Sequence, residues 1–195
     1  MNLLELRFWI FDLDGTLTVP THDFDELRAE LELPAGRGIL EALSELPAEI
    51  AAERHQRLVL WERRHAERAR PQPGAAELLA ELARRGARRG ILTRNTHANA
   101  CLTLEACGIA AFFAPSEVLG REAAAAKPSP DGVNHLLRRW EAPPREALIA
   151  GDYLFDLQAG RAAGIRTLYF DESGAFPHRA HADHAIRSWS EVFAR

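Results

Sequence analysis

Phe8-Trp9-Ile10-Phe11-Asp12-Leu13-Asp14-Gly15-Thr16 sets four large apolar residues directly before two acids one residue apart, with a glycine and a threonine behind them. An apolar run that does not alternate with polar residues predicts a strand buried on both faces, as in a parallel sheet. The strand ends where the carboxylates begin, so Asp12 and Asp14 fall at its carboxyl end, the edge where open α/β sheets bind ligands. A solvated turn is the plain reading of such a pair. Against it, neighbouring carboxylates repel one another, and Asn or Ser would serve a turn as well. A divalent cation would relieve the repulsion.

Outward from this stretch the pattern becomes helical. In residues 23–70, Phe24, Leu27 and Leu31 share one face, and Ile39, Leu40, Leu43 and Leu46 another. A longer charged helix containing Leu58, Val59 and Trp61 follows Pro47. No strand signal interrupts this segment. Thr18-Val19-Pro20 and Pro71-Gln72-Pro73-Gly74, which end regular structure, mark its two junctions as hinges. The expected division is a core unit at residues 1–17, a helical insert at 18–73 and the remainder of the core at 74–195.

Beyond residue 74 helices and strands alternate. Helices are expected from Ala75 to Arg85, from Thr96 to Cys107, from Ser129-Pro130 through Trp140 and from Leu154 to Ala163. The strands between them are Gly90-Ile91-Leu92-Thr93, Phe112-Phe113, Ala147-Leu148-Ile149-Ala150 and Thr167-Leu168-Tyr169-Phe170, with a last edge strand near Ala185-Ile186. Alternation of this kind predicts an α/β fold with a doubly wound parallel sheet.

Four of the predicted strands are followed by polar residues that fit one reaction. Asp12 and Asp14 follow the first; Thr93, Arg94 and Asn95 the second; Lys127 lies beyond the third after a long loop; Asp152 and Asp156 follow the fourth. All fall on the same edge of the sheet, which a random scatter of surface charge would not respect. Asp12, Asp152 and Asp156 could hold a hard divalent cation such as magnesium. The Thr93 hydroxyl and the Lys127 ammonium supply donors for a phosphoryl group. A carboxylate can attack phosphorus, and a second acid can serve the leaving group and then water.

Asp12-Leu13-Asp14-Gly15-Thr16, Leu92-Thr93, Lys127-Pro128-Ser129-Pro130 and Gly151-Asp152 with Asp156 resemble, in order, the four signature motifs of the haloacid dehalogenase superfamily. Residues 156–164 and 182–189 are similar to members of the phosphoglycolate phosphatase type. The resemblance implies that Asp12 is the nucleophile and Asp14 the general acid and base. It implies Mg2+ held by the Asp12 carboxylate, the Asp14 backbone carbonyl and Asp152, with Asp156 assisting or orienting Lys127. Thr93 and Lys127 would hold the phosphoryl oxygens, and the insert would be a small helical cap. Arg94 and Asn95 depart from the commonest residues after the motif Thr and are read either as substrate or phosphate contacts or as packing residues. Asp14 itself points to phosphate esters, because a poor alkoxide leaving group benefits from an acid that dehalogenases lack.

The expected activity is a magnesium-dependent phosphatase acting on a small phosphorylated metabolite through an aspartyl-phosphate. A phosphotransferase such as a sugar phosphomutase is the nearest alternative, and a non-enzymatic phosphate-carrying or binding module the alternative from another class. The 195 residues suit one domain, alone or with a smaller insertion. The formal net charge of −4 argues against a nucleic-acid-binding surface. No apolar run is long enough to span a bilayer and no secretory signal is visible. The spacing of Cys101 and Cys107 suits neither a redox pair nor a zinc site. Both are expected to be structural, in a cytoplasmic protein whose oligomeric state the sequence leaves open. His178, His181 and His184 are read as surface histidines, His55 and His65 as part of a solvated helix face, and Trp61 and Trp140 as core. Arg28 is the one cap residue singled out for substrate contact.

Overall fold

The computed structural model describes residues 2–20 and 23–193; positions 1, 21, 22, 194 and 195 of the three expected segments lie outside the described residues. Strand β1 (Phe8–Phe11) is buried at all four positions, and the side-chain alternation of a strand explains why it must be apolar throughout. Trp9 and Phe11 enter one core layer, with Leu78, Leu79, Leu104 and Trp189. Phe8 and Ile10 enter the other, with Val133, Leu136, Trp140 and Ile149. Burying each such side chain contributes about 1.5–3 kcal/mol, so β1 ties both layers together.

The remaining strands are β2 (Arg88–Leu92), β3 (Val118–Leu119), β4 (Ala147–Gly151), β5 (Arg166–Phe170) and β6 (His184–Ile186). All neighbours pair in parallel, in the order β3-β2-β1-β4-β5-β6. The helices are α1 (Phe24–Glu30), α2 (Ile39–Ser44), α3 (Ala48–Ala66), α4 (Ala75–Arg84), α5 (His97–Ala106), α6 (Asp131–Trp140) and α7 (Leu154–Ala162). The expected doubly wound sheet is therefore the fold observed. The chain leaves β1 toward β2 on one side and β4 pairs on the other, so the switch in strand order lies at β1, where a crevice opens beyond the strand ends.

Two expectations require correction. Phe112-Phe113 is not a strand: Phe113 N–H donates to Ala110 O at 3.1 Å, closing a tight turn, and the Phe112 carbonyl accepts from Arg89 Nε at 3.0 Å in place of a ladder partner. The edge strand is the two-residue β3, and an apolar pair this short does not distinguish turn from strand. The helix expected to begin at Pro130 begins at Asp131, whose N–H is met by Ser129 Oγ at 3.2 Å. Ala123 to Ala126, between α5 and α6, form turn and loop.

Helices α1 to α3 build a separate apolar cluster of Leu27, Leu31, Leu43, Leu58 and Trp61. The two junctions of this helical unit lie side by side: Val19 N–H donates to Arg70 O at 3.0 Å and Gln72 N–H to Leu17 O at 2.8 Å. Two short extended segments thus join it to the sheet. Among the described residues no helix is long and apolar enough to cross a membrane.

Candidate active site

The site grows from the register of β1 on β4. Phe11 faces Ala150, and the Asp12 N–H continues the ladder by donating to Ala150 O at 2.8 Å, which sets Asp12 beside Gly151 and Asp152. Gly15 holds φ at +88°, and a Cβ there would fall 2.5 Å from Asp152 Oδ2. Glycine is therefore required twice over, for the backbone conformation and for the approach of the acid. Thr16 Oγ1 donates to Asp152 Oδ1 at 3.0 Å and reaches Asp12 Oδ2 at 3.5 Å.

Lys127 is brought from the loop before α6 into the same centre. Its Nζ lies 2.5 Å from Asp12 Oδ1 and 2.6 Å from Asp156 Oδ1, and all three residues are buried. Asp156 sits in the first turn of α7, where its Oδ2 accepts the Tyr153 N–H at 3.1 Å. At Gly151 a Cβ would fall 2.3 Å from Asp156 Cβ, so the close packing of strand end and helix start depends on that glycine.

The second strand end contributes Thr93, Arg94 and Asn95. Thr93 is buried and its hydroxyl accepts the Asn95 N–H at 3.0 Å. The Asn95 side chain hydrogen-bonds Asp14. Arg94 is held on three sides. It donates to both Glu41 carboxylate oxygens at 2.6 and 2.7 Å and to the Lys127 carbonyl at 2.8 Å, and its guanidinium lies 4.9 Å from the centre of the Phe155 ring. Arg94 thus joins the sheet edge to α2. Asp12, Asp14, Thr93, Arg94, Asn95, Lys127, Asp152 and Asp156 line one cavity of about 370 Å³ beneath α1 to α3.

The electrostatics separate the acids. Burial pushes the Asp14 carboxyl up to about 7, helped by the negative charges of Asp12 and Glu62 and opposed by Asn95 and Lys127. Burial, with the charges of Asp12 and Asp156, also raises Asp152 well above the usual carboxylate range. Asp156 rises to about 6 because burial outweighs the pull of Lys127. Burial alone would lower Lys127, but Asp12 and Asp156 hold it above its ordinary value and therefore protonated.

Oxygen atoms of Asp12, Asp152 and Asp156 all lie within 4.8 Å of one another, the one such metal-capable cluster among the described residues. An all-carboxylate donor set, crowded and buried, is what a hard divalent cation would fit and relieve. The Asp14 side chain is not a member of this cluster, and the third carboxylate is Asp156.

Several participants carried no signal in the sequence. Glu62 of α3 pairs with Arg121 at 2.6 Å, both largely buried, and its Oε2 makes no hydrogen bond. Burial raises the Glu62 carboxyl against the pull of Arg121, Asn99 and His55. Glu41, Glu62 and Arg121 sit in ordinary charged stretches, and their partners are far away along the chain. Thr16 lay within the opening motif, two residues beyond Asp14. Of the side readings, Arg28 lines the cavity while donating to Asp25 Oδ1 at 2.7 Å and Arg37 O at 2.8 Å. Trp61 belongs both to the helical core and to the cavity wall; Trp140 packs on Phe8. His178 meets Tyr153 edge-on and lies tilted against Tyr169, and it takes no part in the acidic cluster. His55 and His65 bond back to carbonyls of their own helix and do not line the cavity. Cys101 and Cys107 are free thiols; Cys107 is buried, and its burial pushes the thiol up to about 11.

Residues 9–164 match the haloacid dehalogenase-like hydrolases. The chain belongs to that family. A haloacid dehalogenase-like hydrolase domain-containing protein of Arabidopsis thaliana is 31% identical over 88% of this hydrolase and 73% of its own length. A phosphoglycolate phosphatase of Mesorhizobium japonicum is 29% identical over 83% of the chain and 81% of its own. The crystal structure of a hydrolase from Pseudomonas syringae, 22% identical, superposes with a TM-score of 0.80 over 97% of both chains. The family that the four motifs resemble is the family to which this hydrolase is similar in sequence and fold.

Proposed function

We propose that this hydrolase is a phosphatase that cleaves small phosphate monoesters, with Asp12 as nucleophile and Asp14 as general acid and base. The observation that carries the reading is the contrast between two acids one residue apart. Asp12 accepts from the buried Lys127 ammonium at 2.5 Å, a charge-assisted contact that holds the carboxyl group in place. Asp14, pushed up to about 7, can keep a proton for the leaving alkoxide. Two carboxyl groups whose environments differ in this way are suited to opposite roles.

In this reading the Asp12 carboxylate oxygen bonds to phosphorus while the ester oxygen departs and takes the Asp14 proton. Asp14 then removes a proton from water, which attacks the acyl-phosphate and frees phosphate and Asp12. Lys127 and the Thr93 hydroxyl hold the phosphoryl oxygens, and Asn95 orients Asp14. Asp12, Asp152 and Asp156, with the Asp14 backbone carbonyl, are the residues that would hold Mg2+. The cation would neutralise charge on the phosphoryl group. Residues 18–73 act as a cap whose closure excludes water from the acyl-phosphate.

Release of free phosphate from a panel of monoesters, with Mg2+ and with chelator, tests the reading. Metal-dependent release is expected. An isomerised product without free phosphate would instead establish a phosphotransferase, and no turnover of any ester would leave only a binding module.

A further inference from the structure

The cavity has two unlike halves. The core side is the charged centre. On the side made by α1 to α3, Phe24, Leu27, Ile39, Leu40, Leu58 and Trp61 form an apolar wall flanked by the charged Arg28, Arg37 and Glu62. A leaving group must rest against that wall once the phosphoryl group occupies the centre. At about 370 Å³ the cavity lies near the low end of the range that takes drug-sized ligands, so it holds more than a two-carbon acid.

The cations around this wall are already engaged. Arg28 is tied to Asp25 and to the Arg37 carbonyl. Arg37 donates twice to Glu45, at 2.6 and 2.5 Å. Arg94 is bidentate on Glu41, and Lys127 is shared by Asp12 and Asp156. A second anionic group on the substrate would have to displace a carboxylate from one of them. It would also face Glu62, whose negative charge already reaches Asp14 from the cap side.

We infer that the substrate is a phosphate monoester with an uncharged, largely apolar leaving group of about the size of an aromatic ring, and that esters of small hydroxy acids are poor substrates. The apolar wall, in which Phe24 and Trp61 pack on each other with ring centres 6.4 Å apart, would desolvate such a group. The inference rests on the phosphatase reading and narrows it to a substrate class.

The test is a comparison of kcat/KM for benzyl phosphate and 2-phosphoglycolate with Mg2+, two esters that both expel an alkoxide. The wild-type enzyme is expected to favour benzyl phosphate by about tenfold or more, the discrimination a hydrophobic pocket commonly supplies. Phe24 is 49% exposed, so Phe24→Ala spares the fold; it is expected to lower the benzyl-to-glycolate ratio by about tenfold, mainly through KM for the benzyl ester. Leu40→Arg, which adds a cation with no carboxylate assigned to it, is expected to shift the same ratio toward phosphoglycolate. A purely structural role for these side chains would lower both activities together and leave the ratio where it was, which would overturn the inference. Preference of the wild type for phosphoglycolate would overturn it too, with the phosphatase reading intact. Hydrolysis of neither these nor any other monoester would bring down both.

Discussion

Nζ of Lys127 lies 2.5 Å from Oδ1 of Asp12, an ion pair in which the lysine side chain is 3% exposed and the aspartate 10%. The same ammonium serves Asp156, so one cation offsets two buried acids. Removing it is expected to leave both uncompensated. Lys127→Met should destabilise the protein by about 3–5 kcal/mol, as for other buried pairs broken on one side. It should also cut phosphatase activity by orders of magnitude. Urea denaturation reads the first effect, and an unchanged midpoint would contradict the pairing.

Asp12→Asn removes the charge of the proposed nucleophile while keeping its shape. Turnover is expected to vanish for every ester, with the thermal midpoint preserved or raised because one repelling carboxylate is gone. Residual turnover at a tenth of wild type would rule out Asp12 as the nucleophile.

Asp14→Asn should discriminate among substrates. For alkyl esters kcat is expected to drop about 10²–10⁴-fold, the usual contribution of general acid–base catalysis. For 4-nitrophenyl phosphate, whose phenolate departs without a proton, formation of the acyl-phosphate should fall much less. Pre-steady-state release of nitrophenolate measures that step, and an equal loss for both ester types would remove Asp14 from the acid's role.

The metal-free protein should lose stability as pH rises from about 4 to about 7. Asp14 and Asp156, raised to about 7 and about 6 in the fold, hold their protons to higher pH than the unfolded chain does, Asp156 giving its proton up near 6 and Asp14 near 7. The folded state then binds more protons than the unfolded one, and the slope of stability against pH is negative. Asp152, raised by the same burial, adds in the same direction. Magnesium should restore the loss at pH 7 by binding the folded state alone. Thermal melts between pH 4 and 8, with chelator and with Mg2+, give the two curves; a midpoint that climbed with pH under chelator would refute the assignment.

Arg121 and Glu62 join α3 to the segment after β3, with Nη1 of the arginine 2.6 Å from Oε1. Arg121→Met strands a carboxylate in the interior and should cost more than Arg121→Met with Glu62→Leu, in which both charges are gone. A double-mutant cycle is expected to return a coupling above about 1 kcal/mol. Independent, additive effects would show that this pair does not fasten the helical unit.

The opening stretch carried most of what could be read without coordinates. Phe8 to Phe11 had to be apolar on both sides because β1 feeds two core layers, and the acids had to follow because the strand ends at the crevice. The order of helices and strands followed from local periodicity, except at Phe112-Phe113, where two residues are too few for a period to exist. Asp12, Asp14, Lys127, Asp152 and Asp156 were each marked by their place after a strand or within a motif. Glu41, Glu62 and Arg121 were invisible for the opposite reason: each acts with a partner 53 or 59 residues away, and nothing in a local charged helix distinguishes such an acid from a solvated one.

By itself, then, the sequence of this hydrolase determined the parallel sheet, the family and the edge at which its chemistry is gathered, because each depends on short-range patterns of hydrophobicity and on residues adjacent to strand ends. Only the tertiary structure decided that Arg94 is bound to Glu41, that Glu62 is paired with Arg121, and that an apolar wall faces the acids. These depend on how the helical unit packs over the sheet. Burial and distance, which set both the protonation of Asp14 and the character of the cavity, come into being only when distant segments meet.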